Sequence, residues 1–177
     1  MEKIGIFCSA SEVIDPIYFE KTRELGEWMG LNRKTLVYGG ANLGLMECVA
    51  KSAKENGAFI MGVVPTKLEE RGAVSDLLDV TFRVDDLSER KDTILRESDV
   101  LVALPGGVGT LDEVFHVVAS ASIGYHHKKV IFYNVNGFWK DLLDFLDSMK
   151  GSGFARRPLE NFYQVANTWE ELIDLLQ

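Results

Sequence analysis

Two kinds of block alternate along this chain. Short, almost wholly apolar runs at 3–8, 35–38, 59–64, 80–84, 100–104, 130–133 and 163–166 read as β-strands. Between them, the segments 16–29, 43–56, 86–97, 110–123, 138–149 and 169–176 carry apolar residues at helical spacing. The strand runs do not alternate apolar with polar positions. Both faces of each strand must therefore be covered, as in a parallel sheet packed between helices. Repetition of strand then helix predicts right-handed crossovers and an α/β, doubly wound, mainly parallel sheet of six to seven strands with helices on both faces.

In such a fold, ligands bind beyond the carboxyl ends of the strands. Four motifs fall at those ends: Cys8-Ser-Ala-Ser11, Tyr38-Gly-Gly-Ala-Asn-Leu-Gly-Leu-Met46, Val64-Pro65 and Pro105-Gly-Gly-Val-Gly109. The last is the most informative. A buried-strand run, Val100 to Leu104, breaks into three glycines within four residues, and a helix follows from Thr110. Glycines let backbone amides approach a ligand, and a helix N-terminus offers unpaired N–H donors with partial positive charge. Together they make a seat for a phosphate or carboxylate.

The bulk numbers narrow the setting. At 177 residues, with 46% hydrophobic and 26% charged residues, the chain reads as one globular domain spanning 1–177. Nineteen basic against 27 acidic side chains leave a net charge of −8, which argues against a nucleic-acid polymer or an anionic membrane as partner. No apolar run is long enough to cross a bilayer, and no leader pattern precedes the first strand run. Two cysteines, Cys8 and Cys48, without metal-ligand spacing fit a reduced, cytoplasmic setting and no metal site.

Familiar nucleotide signatures do not fit. Gly107-Val-Gly109-Thr-Leu-Asp112 starts like a dinucleotide fingerprint but ends in Asp112, and no acid follows the next strand to hold a ribose. Gly39 to Gly44 has Walker-like spacing, yet Leu45-Met46 stand where Lys and Ser/Thr are required. Thr110-Leu-Asp-Glu113 fits a capping box, which would give Glu113 a purely structural task; the alternative is a carboxylate at the pocket floor. On the preceding helix, Leu87, Ile94 and Leu95 mark an apolar stripe whose intervening positions are Arg90 and Lys91. Two inward cations invite a buried anion, against the ordinary alternative of snorkelling side chains. The three histidines form no triad: His116 reads as a helix-face residue and His126-His127 as a solvated loop.

With these pieces assembled, the chain resembles the lonely guy (LOG) family, Rossmann-like proteins often labelled lysine decarboxylases. Pro105-Gly-Gly-Val-Gly-Thr-Leu-Asp-Glu113 matches that family's PGGxGTxxE motif, Glu89-Arg90-Lys91 its xRK element, and Tyr38-Gly39-Gly40 with Gly44-Leu45-Met46 most of its GGGxxGLM turn. The resemblance implies hydrolysis of the N-glycosidic bond of a nucleoside 5′-monophosphate, of AMP or cytokinin riboside 5′-monophosphate type, to free base and ribose 5-phosphate, without metal or other cofactor. It implies Arg90 and Glu113 as the catalytic pair, with Arg90 orienting Glu113 and keeping it ionised. Ser9, Gly39, Gly40, Met46, Lys91, Gly106, Gly107, Val108, Gly109, Thr110, Leu111 and Asp112 would bind substrate. It also implies a homodimer or higher homo-oligomer. Ala41, Gly72, Ser88 and Ser122 depart from the family's usual Gly, Glu, His and Gln, and the missing Glu is a substrate contact in the family. The alternative is a non-catalytic binder of a nucleotide or phosphorylated metabolite. A pyridoxal-phosphate decarboxylase would need a Schiff-base lysine that nothing here singles out.

Overall fold

In the computed structural model, which describes residues 2–177, seven strands form one sheet in the order β4-β3-β2-β1-β5-β6-β7. They are β1 Lys3–Phe7, β2 Thr35–Tyr38, β3 Phe59–Pro65, β4 Val80–Val84, β5 Val100–Ala103, β6 Val130–Tyr133 and β7 Tyr163–Ala166. Every neighbouring pair is parallel. Seven helices connect or follow them: α1 Pro16–Leu31, α2 Gly44–Glu55, α3 Thr66–Glu70, α4 Leu87–Glu97, α5 Val108–Ser122, α6 Lys140–Ser152 and α7 Trp169–Leu176. Six were expected from the pattern. The additional one, α3, is a single short turn with no buried residue, so it leaves no apolar periodicity to read.

Apolar runs are continuous because successive residues serve opposite faces. Ile4, Ile6, Leu36, Tyr38, Val100, Val102 and Ile131 pack with Leu25 and Met29 of α1, Leu45 and Val49 of α2, and Leu172 of α7. Phe7, Val37, Leu101, Ala103, Val130 and Phe132 face the other way, onto Ile94 of α4, Val114 and Val117 of α5, and Leu146 of α6. The chain order reverses direction across the sheet between β1 and β5. The loop after β1 and the start of α5 therefore border one crevice.

Local chemistry starts the helices where tertiary contacts need them. Asp15 caps α1, accepting from the Ile17 amide at 3.0 Å ahead of Pro16. Asp86 caps α4, accepting from the Glu89 amide at 2.9 Å, while Glu89 Oε2 accepts from the Asp85 amide at 2.9 Å. The α4 stripe is narrower than its sequence suggests: Thr93 and Ile94 are buried, whereas Leu87 is 57% exposed. Ile94 is thus the main apolar anchor of the helix that carries Arg90. Ile94→Ala should cost about 2–5 kcal/mol in urea unfolding, since a fully buried branched side chain leaves a cavity.

Candidate functional site

α5 begins at Val108, with Gly107 at its N-cap and no side-chain cap. Its first-turn amides have no partner within the helix, so its positive end is open toward the crevice. The glycines before it have different tasks. A Cβ at Gly106 would overlap the Thr110 side chain, which is buried against it. At Gly107 and Gly109 a Cβ would meet nothing within 4 Å. Neither has positive φ, so packing and backbone strain leave these two glycines unexplained, and the free space beside them is where an anion would approach.

This helix start overturns the capping-box reading. Thr110 sits inside the helix, three residues past its N-cap, and Glu113 lies a further turn along. The same T-x-x-E pattern does cap α7: Thr168 Oγ1 accepts from the Glu171 amide at 3.2 Å, and Glu171 Oε2 accepts from the Asn167 amide at 2.7 Å. Glu113, released from that task, lines a cavity of about 300 Å³ with Ser9, Met46, Arg90, Gly107, Gly109 and Thr110. Ile6, Cys8 and Ala10 complete its wall. Cys8, in the motif at the carboxyl end of the first strand, is both buried and part of this lining.

Burial pushes the Glu113 carboxyl up to about 7; the neighbouring Asp112 adds to the rise, and Arg90 and Lys91 partly oppose it. Arg90 does not bond to Glu113. Its Nη2 donates to the Gly39 carbonyl at 2.7 Å and its Nε to the Val63 carbonyl at 3.2 Å, which ties the guanidinium to the ends of β2 and β3. The expected direct pair that keeps Glu113 ionised is therefore replaced by a guanidinium held by backbone and a half-buried carboxyl on the cavity wall. A Cβ at Gly39 would overlap the guanidinium, which is why this position requires glycine.

The remaining candidates fall beside the cavity. Lys91 Nζ lies 2.9 Å from Asp112 Oδ1, so the lysine neutralises the acid that would compete with a bound anion. Gly40 has φ +74° and packs on Val64, a backbone role. Val108 is exposed and Leu111 packs against the α4 and α5 side of the core. His116 Nε2 on α5 lies 2.9 Å from Asp92 Oδ1 on α4, away from the cavity. The loop containing His126 is more engaged than expected, because Lys128 Nζ donates to the Leu95 carbonyl at 2.6 Å. Beyond Arg90 lies a second cavity of about 600 Å³, lined by Pro65, Leu68, Leu87, Lys67, Arg71, Asp85, Asp86 and Ser88 as well as Arg90 itself. Among the described residues no cluster of acids, histidines and cysteines could hold a metal ion, and no helix is long and apolar enough to cross a membrane.

A family model described as "possible lysine decarboxylase" matches residues 46–176. The probable cytokinin riboside 5′-monophosphate phosphoribohydrolase LOGL2 of Oryza sativa subsp. japonica is 35% identical, over 99% of this chain and 72% of its own length. The cytokinin riboside 5′-monophosphate phosphoribohydrolase LOG5 of Arabidopsis thaliana is 32% identical, over 99% and 77%. The chain belongs to the LOG family. Solved structures agree on the fold of this LOG protein: the molybdenum cofactor carrier protein of Chlamydomonas reinhardtii superposes with a TM-score of 0.75 at 24% identity, covering 99% of this chain and 95% of that one. The molybdenum cofactor binding protein of Rippkaea orientalis gives a TM-score of 0.74 at 24% identity, covering 99% and 94%.

The raised Glu113 pKa has a sign that can be checked. Between its ordinary value of 4.5 and about 7, the folded protein keeps a proton that the unfolded chain has lost, so stability falls as pH rises through that window and levels off above it. Glu113→Gln removes this cost. In denaturant melts the variant should match wild type near pH 4 and exceed it increasingly up to pH 7.5; a constant difference across that range would contradict the desolvated carboxyl.

Proposed function

We propose that this protein hydrolyses the N-glycosidic bond of a nucleoside 5′-monophosphate, of AMP or cytokinin riboside 5′-monophosphate type, giving free base and ribose 5-phosphate. The observation that carries the reading is the shared cavity in which an uncapped, glycine-walled helix start faces a desolvated carboxyl. The relatives named as phosphoribohydrolases of such nucleotides support it.

The 5′-phosphate would sit at the start of α5 beside Gly107 and Gly109. Lys91 keeps that seat attractive by neutralising Asp112. Binding at this non-reacting group fixes the ribose relative to Glu113 and restricts its motion before reaction. Departure of the base leaves cationic character on C1′, which an ionised Glu113 stabilises. The same carboxylate orients the attacking water and accepts its proton, as in other glycoside cleavages. A pKa near the working pH suits that exchange. Arg90 uses two of its five donors on backbone carbonyls, and the rest are free for the ribose or the departing base. Because Arg90 lines both cavities, the base would lie toward the larger one. The proposal includes a cytoplasmic protein assembled from two or more copies.

The test is incubation with AMP and an N6-substituted AMP, with chromatographic detection of free base and assay of ribose 5-phosphate. The rate should fall on the acid side with an inflection near pH 7, as Glu113 takes up a proton. Glu113→Gln should lower turnover by about a thousandfold or more while AMP still binds. Nucleotide binding without release of base from any substrate would instead make the protein a non-catalytic phosphoryl-ligand binder.

A further inference from the structure

We infer that Glu12 is a positioning residue of this site, a carboxylate clamp that fixes the β1–α1 loop against the start of α2; the inference rests on the proposed reading of the cavity. The α2 N-cap is Leu43, which has no side chain able to cap, so the first amide of the helix needs an acceptor from elsewhere. Glu12 Oε1 provides it, accepting from the Gly44 amide at 2.6 Å across 32 residues of sequence. A carboxylate at a helix N-terminus also gains from the helix dipole.

Two more contacts hold the same loop to the same turn. The Leu45 amide donates to the Ser9 carbonyl at 2.9 Å. Gly44, at φ +56°, rests against the Ala10 backbone so closely that a Cβ there would stand 2.8 Å from Ala10 Cα. On its other side the loop reaches the phosphate seat, where the Ser9 amide donates to the Pro105 carbonyl at 3.1 Å. The loop is thus strapped between the starts of α2 and α5, and Ser9 and Ala10 face the cavity from within the strap.

The strap gives Ser9 a defined chemistry. Its Oγ accepts from the Ser11 amide at 3.0 Å, which leaves the hydroxyl proton free to donate to a phosphoryl oxygen. Glu12 touches no reacting atom in this scheme. It fills the anion seat at α2 with a built-in carboxylate, leaves the seat at α5 open, and holds the loop between them in place. Ser9 is one contact to the phosphate, and the α5 amides still fix the ribose relative to Glu113 without it, so loosening this contact raises KM and changes kcat little.

The experiment is steady-state kinetics and thermal melting of Glu12→Ala and Glu12→Gln with AMP. Glu12→Ala should raise KM roughly tenfold, the loss of about one charge-assisted hydrogen bond from Ser9 to the phosphate, with kcat within about twofold of wild type. Glu12→Gln keeps a carbonyl oxygen for the Gly44 amide and should return KM to within about threefold of wild type. An unchanged KM in Glu12→Ala, whatever its melting temperature, would reduce Glu12 to a simple helix cap and overturn the proposal; so would Glu12→Gln as impaired as Glu12→Ala. If wild type turns over no nucleotide, the hydrolase reading fails separately, and the clamp is then judged by calorimetric Kd for AMP, with the same ordering of variants expected. Absence of AMP binding by wild type overturns both.

Discussion

Desolvation of one carboxyl group governs the chemistry of this crevice. Glu113 lies on a helix packed against the sheet, near a guanidinium that the backbone already holds, and its burial outweighs the opposing charges of Arg90 and Lys91. Were Arg90 bonded to it directly, the acid would be pinned in its charged form and its basicity lost. Tying Arg90 to the Gly39 and Val63 carbonyls instead keeps a positive charge near enough to moderate the pKa without quenching it. Glycine at position 39 is a condition of that arrangement, because any side chain would expel the guanidinium.

The same economy of charge shapes the helix start. In the proposed reading, a chain with net charge −8 makes room for an anion by balancing acids locally. Asp112, on the first turns of α5, is neutralised by Lys91 from α4. Two helix N-termini border the crevice, and only that of α2 carries a carboxylate from the chain itself. Isolated pairs of this kind at a surface add little to stability. Their effect is on the local potential, which is less negative at the start of α5 than the net charge suggests.

The fold was legible because buried parallel strands leave continuous apolar runs, and all seven were readable with ends shifted by no more than a residue. Helix α3 escaped notice because Thr66–Glu70 buries nothing and has no period to detect. The site was legible in its residue types and not in its bonding. A T-x-x-E pattern is equally present at 110–113 and 168–171, and only the second pair caps a helix; at the first, the glycines allow α5 to begin two residues earlier than Thr110. Leu87 looked inward by spacing and points outward because it occupies the first position of α4, at the rim of the larger cavity. The Glu12 contact spans 32 residues, so no local pattern announces it.

Two of the four departures from the family pattern fall at the larger cavity, and Ala41 and Ser122 line neither. The smaller cavity keeps its glycine walls, Arg90 and Glu113, whereas Ser88 and Arg71, the neighbour of Gly72, line the larger one. Gly72 is more than a missing side chain. With φ +64°, its amide donates to the Glu69 carbonyl at 2.9 Å and the Ala73 amide to Leu68 at 3.1 Å, the geometry that ends α3 in a left-handed residue. A glutamate there would be strained, so this loop is committed to a shape that cannot present the carboxylate expected of the family. Asp85 and Asp86 are the acids that remain on that cavity's wall, and Asp86 already caps α4. In the proposed reading, the part of a ligand beyond Arg90 would meet Lys67, Arg71, Asp85, Ser88 and the apolar surface of Leu68 and Leu87, and Gly72 lies outside the smaller cavity. Among the described residues the two cavities share Arg90 alone in their linings, so a substitution at Ser88 or Arg71 leaves the walls of the smaller one as they are.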